Sequence, residues 1–108
     1  MTFRLPNLVI ALCLIMPAAA AAQMSPGEQR GQTFVRANCS TCHAIDKMSA
    51  SPLKIAPQFR ELHLRYPVES LQEALVEGIR TGHVNMPEFR LDAGQASDVI
   101  AYLKTLER

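Results

Sequence analysis

Apolar residues recur at helical spacing in three stretches of the chain and nowhere alternate with period two for long enough to make a strand. The pattern therefore predicts an all-α domain. In the last stretch Ala96, Val99, Ile100, Leu103 and Leu106 share one face, and Asp92 with Gln95 three residues on forms the opening cap pair. A second stretch runs from Val68 to about Arg80, with Leu71, Ala74, Leu75 and Ile79 at helical spacing and Gly82 as its stop. The first opens at Ser25, Pro26, Gly27 and Glu28: a serine cap, proline at the first helical position, and a glutamate placed to close a capping box. That helix is expected to reach about Asn38, to carry Phe34 and Val35, and to deliver Cys39 at its end. Between the helices periodicity fails. Ala44 to Pro57, with Ser49, Ser51 and Pro52, reads as a loop. A short helix is expected over Gln58 to His63, ended by Pro67, and His83 to Leu91 is irregular again. Loops of this length in so small a domain call for a function or a filling.

The first residues do not belong to that frame. Met1 to Asn7 carries one positive charge, Arg4; Leu8 to Met16 is an unbroken apolar run; Pro17 leads into Ala18 to Ala22, which offers an A-x-A site before Gln23. This is the layout of a secretory signal peptide. Leu8 to Ala22 gives 15 apolar or small residues, short of the ~20 a spanning helix needs. The expected organisation is a signal peptide over 1–22, cleaved after Ala22, and one domain over 23–108 exported to the periplasm, with no membrane span once the signal is removed. Cys13 leaves with the signal, so two thiols remain and no structural disulfide is available. The 86 residues from Gln23 to Arg108 are few for a self-sufficient core.

Charge excludes one class of partner. Without Arg4, ten basic residues balance ten acidic ones, so no basic excess points to nucleic acid. The distribution is uneven. Residues 23–65 hold six basic and three acidic side chains, and residues 66–108 hold four basic and seven acidic. Such a positive half could orient an acidic partner, or could be an ordinary solvated surface.

The remaining thiols sit in Cys39-Ser40-Thr41-Cys42-His43, a CxxCH motif. Two cysteines at this spacing can add across the two vinyl groups of a porphyrin, and the histidine that follows binds the iron from below, so the motif implies one covalent haem c. A redox dithiol would leave His43 unexplained and lacks a surrounding βαβ pattern. A zinc site lacks a second close ligand pair. A soft, neutral thioether from a downstream loop is the natural opposing ligand, and Met86, stiffened by Pro87, fits. His83 is its rival, three residues away and able to bind iron strongly, or else a surface histidine beside Gly82. His63 reads as an amphipathic helix residue, Met48 as packed or exposed, and Met24 as part of a disordered new N-terminus. Phe59 and Phe89 read as core or haem-wall residues.

The order of helix, CxxCH, proline-containing loop, helix, MP loop and C-terminal helix with Tyr102 resembles a class I cytochrome c of the small bacterial periplasmic monohaem type. The resemblance implies that Gly31 lets Tyr102 cross close to the first helix, that the carbonyl at or before Pro57 steadies His43, and that Met86 is the methionine ligand. There is no tryptophan, so a haem propionate would fall to Arg60, His63, Arg65 or Tyr66. The implied function is that of a monomeric one-electron carrier that docks transiently to a donor and an acceptor and catalyses nothing itself. The alternatives are a haem sensor or ligand-binding protein with a labile sixth ligand, and an electron-accepting subunit of a periplasmic dehydrogenase. In each case the helices would meet around a cavity between His43 and Met86, and the chain without its haem would be poorly ordered.

Overall fold

In a computed structural model the described residues are 1–2, 23–79 and 86–108. The expected signal segment, the extension of the middle helix to Arg80, its stop at Gly82, and His83 all lie outside them, save Met1 and Thr2. The described residues form three α-helices and two 3-10 helices and contain no strand.

Helix α1 spans Pro26–Asn38 and α3 spans Ala93–Thr105. Both open on the expected caps. Glu28 N donates to Ser25 Oγ at 3.2 Å and Ser25 N donates to Glu28 Oε2 at 2.8 Å. Gln95 N donates to Asp92 Oδ1 at 2.8 Å and Asp92 N to Gln95 Oε1 at 3.2 Å. Each cap satisfies backbone donors that a helix start would otherwise leave bare. The apolar stripe of α3 turns inward: Ala96, Val99, Ile100, Leu103 and Leu106 are all buried, together with Val35 of α1.

The two helices cross where α1 has no side chain. A Cβ on Gly31 would lie 2.0 Å from the Asp98 carbonyl oxygen and 2.9 Å from Tyr102 Cβ, so only glycine permits the approach. Beside this crossing the Arg30 guanidinium forks onto Asp98, with Nε donating to Oδ2 at 2.7 Å and Nη2 to Oδ1 at 2.9 Å. The fork holds the Asp98 carboxyl below its ordinary range.

The middle of the chain departs from the periodicity reading. Val68–Ser70 is a 3-10 turn, α2 covers only Leu71–Glu77, and the helix ends at Gly78 rather than Gly82. Gly78 has φ +105°, a conformation open to glycine. The helical bond from Ile79 N to the Leu75 carbonyl is replaced: Leu91 N takes that carbonyl at 2.8 Å, while Ile79 N donates to the Phe89 carbonyl at 3.2 Å. Tertiary partners thus end the helix early. The short helix expected over Gln58 to His63 is a 3-10 helix over Phe59–Leu64. Met24 is not at a disordered end. It is partly buried against the core, and its carbonyl accepts from Gln29 Nε2 at 2.9 Å.

Candidate functional site

Helix α1 stops by folding its last turn back on itself. Cys39 N and Ser40 N both donate to the Val35 carbonyl, at 2.8 and 3.1 Å, and Cys42 N and His43 N both donate to the Cys39 carbonyl, at 3.2 and 3.0 Å. This tight turn draws Cys39, Cys42 and His43 together at the helix end. Both cysteines are free and partly buried. Burial pushes the Cys39 thiol up to about 11, the opposite of the lowered value that a reactive dithiol needs. Among the described residues no group of three or more His, Cys, Asp or Glu side chains could hold a metal ion.

His43 is fixed on one side. Its Nδ1 lies 2.7 Å from the Pro57 carbonyl oxygen. A carbonyl only accepts, so Nδ1 carries a proton, and in the neutral imidazole that tautomer leaves the lone pair on Nε2. The Phe59 ring packs against the imidazole with centroids 4.8 Å apart and planes inclined at 38°. The loop that brings Pro57 back is closed around Ala44, the buried neighbour of His43. Ala44 N donates to Ser51 Oγ at 3.0 Å, and Phe59 N donates to the Ala44 carbonyl at 2.9 Å. From the other side, the Tyr102 hydroxyl reaches out of α3 and donates to the Ile45 carbonyl at 2.6 Å.

These residues open onto a cavity of about 490 Å³, within the ~300–1,000 Å³ of ordinary small-molecule sites. Cys39, Cys42 and His43 line it, and so does Met86. Its remaining wall is mostly apolar and includes Phe34, Phe59, Leu75, Phe89 and Leu103. The loop bearing Met86 is joined to α2 by the two backbone bonds at Leu75 and Ile79. Phe59 and Phe89 are therefore wall residues as well as core neighbours.

Of the four polar candidates for the cavity rim, Tyr66 lines it; Arg60, His63 and Arg65 do not. Met48 is 90% exposed and away from the cavity. His83 lies outside the described residues. Ser51 and the Arg60 guanidinium act in the loop after His43 through backbone partners, which no sequence motif records.

The family model of cytochrome c matches residues 28–107. The chain belongs to the cytochrome c family. No curated protein and no solved structure matched it. As a cytochrome c it is a haem-binding electron carrier with covalent haem c and its iron as the cofactor, and the all-α architecture is that of the family. The residues present suit that group: two free thiols at CxxCH spacing, an imidazole held through Nδ1, and a thioether, all on the wall of one apolar cavity. No helix among the described residues is long and apolar enough to cross a membrane.

Proposed function

We propose that this cytochrome c is a monomeric periplasmic one-electron carrier, exported by a signal peptide over 1–22, in which Cys39 and Cys42 hold the haem and His43 and Met86 are its axial ligands. The observation that carries the reading is that these four side chains line a single cavity while the Pro57 carbonyl engages His43 through Nδ1. Bound there, haem c supplies a reversible one-electron couple. The chain's own part is to keep that couple dry and its ligands still. Pro57 fixes the imidazole tautomer, Phe59 fixes the ring, and the apolar wall excludes water. A neutral thioether from Met86 would favour the reduced iron and raise the potential. Electron donor and acceptor would be redox proteins that dock briefly, and no substrate would be transformed.

A reduced-minus-oxidised spectrum with a pyridine haemochrome test on periplasmic protein checks the attachment, and Met86→Ala checks the sixth ligand. The variant should lose the weak red-edge band and fall in potential; an unchanged spectrum and potential would eliminate Met86. Rapid, complete carbon monoxide binding by the reduced wild type at neutral pH would contradict a stable sixth ligand.

A further inference from the structure

Arg60 spans the loop between His43 and the 3-10 helix Phe59–Leu64, and it does so from the residue next to Phe59. Its Nη1 donates to the Ser49 carbonyl at 2.7 Å and to the Asp46 carbonyl at 3.3 Å. Those carbonyls belong to a turn that is already closed from within. The Asp46 carboxylate accepts from Met48 N at 2.7 Å, from Ser49 N at 2.6 Å and from the Ser49 hydroxyl at 2.5 Å. With its side chain occupied by the turn, Asp46 presents its carbonyl to the guanidinium, and so does Ser49.

We propose that Arg60 is a positioning residue for the proximal ligand: by bolting the turn 46–49 to the returning limb 57–60, it holds the Pro57 carbonyl and the Phe59 ring against His43. The limb is also held by Ala56 N on the Leu53 carbonyl, by Glu61 N on the Gln58 carbonyl and by the packing of Phe59 and Leu62 on the core. Phe59 N on the Ala44 carbonyl fixes one point beside His43. Arg60 fixes the second, farther out, and two points define the orientation that one cannot. Of the two contacts that orient the imidazole, the 4.8 Å ring packing comes from Phe59 itself, next to Arg60, and the 2.7 Å bond comes from Pro57, two residues before Phe59.

The inference rests on His43 being the iron's proximal ligand. A carbonyl accepting from Nδ1 makes the imidazole a more basic ligand and so favours ferric iron. Loosening that bond should raise the potential. Simple loss of a positive charge acts in the opposite sense, because a nearby cation disfavours ferric iron. The two causes therefore differ in sign.

The test is the midpoint potential of the haem-loaded Arg60→Met protein, with Lys47→Met in the same turn as a charge control. Arg60→Met should rise above wild type, by as much as a tenfold change in ferric-to-ferrous preference, the low end of what outer partners of a metal ligand are worth; that is about 59 mV for one electron. Lys47→Met should stay level or fall. The His43 Nδ1 proton, followed by nitrogen-15 NMR, should exchange at least about tenfold faster in Arg60→Met and unchanged in Lys47→Met. A potential at or below wild type, or unaltered Nδ1 exchange, overturns the assignment. If Arg60→Met does not fold, Arg60→Gln keeps a planar amide donor on a stem too short to reach the turn, and the same two outcomes apply to it. A wild-type chain giving no pyridine haemochrome contradicts the haem reading itself, whereas intact haemochrome with an unmoved potential contradicts only the role of Arg60.

Discussion

Replacing Gly31 by alanine should be among the most damaging single-methyl changes available in this chain. The added Cβ would meet the Asp98 carbonyl oxygen at 2.0 Å, its carbon at 2.6 Å and Tyr102 Cβ at 2.9 Å. Ordinary contact distances are about 3.5 Å, so α3 would have to withdraw by roughly 1.5 Å along this stretch. None of the obstructing atoms is the free end of a flexible side chain. The Asp98 oxygen and carbon are backbone, and the Asp98 side chain is tied to α1 by the Arg30 fork. Withdrawal would also open gaps beside Val35 and Tyr102, both buried, and a gap of 0.5–1 Å forfeits about a quarter to a half of each contact. Overpacking usually costs about 1–3 kcal/mol, and a clash with backbone belongs at or above the top of that range. The better helix propensity of alanine returns at most about 1 kcal/mol. A loss of about 3 kcal/mol lowers Tm by roughly 12–24 °C for a domain of this size. Thermal unfolding of the haem-loaded protein, followed by circular dichroism and by haem absorbance, measures it. Gly27→Ala, whose Cβ would lie 3.1 Å from Asp98 Oδ1, should cost less, and Gly94→Ala, exposed and 3.3 Å from Asp92 Oδ1, should fall within about 1 kcal/mol of wild type. A Gly31→Ala protein as stable as wild type, or one more stable than Gly27→Ala, would refute the close crossing of α1 and α3.

Tyr102→Phe removes the donor to the Ile45 carbonyl and should cost about 1–3 kcal/mol with haem attachment intact; an unmoved urea midpoint would show that the bond adds nothing. A Cys39→Ala, Cys42→Ala double variant, expected to lose the covalent haem, would leave the largely apolar 490 Å³ cavity unfilled in a domain with few residues for a core. Far-ultraviolet circular dichroism should then show lost helix, and native-like helicity and melting without haem would contradict the expectation. Asp46 is held near about 2 by the Ser49 hydroxyl and by the Ser49 and Met48 amides. Because this value lies below the ordinary ~3.9, its stabilising contribution is complete above about pH 4 and is lost as pH falls towards 2. Asp46→Asn should therefore be less stable than wild type at neutral pH and show a shallower acid limb between pH ~4 and ~2; urea midpoints that track wild type across that window would count against the carboxylate's role in the turn.

What the sequence made legible was whatever a short stretch of chain decides for itself. The capping boxes at Ser25 and Asp92 need only four residues each, and both helices begin where those residues stand. The inward stripe of α3 needs only its own periodicity, and the CxxCH turn is likewise closed by bonds within five residues of Cys39. The errors fall where a distant partner decides. Nothing near Leu75 announces that Leu91 N will claim its carbonyl and stop α2 at Gly78, and nothing near Met24 announces the core it packs against. Tyr102 marks the boundary between the two cases. Resemblance to a family placed it over Gly31, and it is buried there; its hydroxyl's hold on Ile45, 57 residues away in the chain, had no local sign.

The same division runs through the site. The groups expected to meet haem are recognisable by residue type: two thiols, an imidazole and a thioether. The groups that hold them still act through carbonyls of Pro57, Ala44, Ile45 and Ser49, which any residue could supply. What is specific there is the donor aimed at each carbonyl: His43, Phe59, Tyr102 and Arg60. Three elements thus converge on the short segment after the haem motif: the motif itself, the 3-10 helix and α3. A carrier must cycle between two oxidation states with little rearrangement, and bonds from separate elements restrain a loop that its own sequence leaves irregular. Stiffness around His43 is accordingly a property of the assembled fold, and variants of Arg60 and Tyr102 should separate from variants of Met86: the former loosen the segment around His43 while leaving the cavity wall complete, and the latter changes the wall itself.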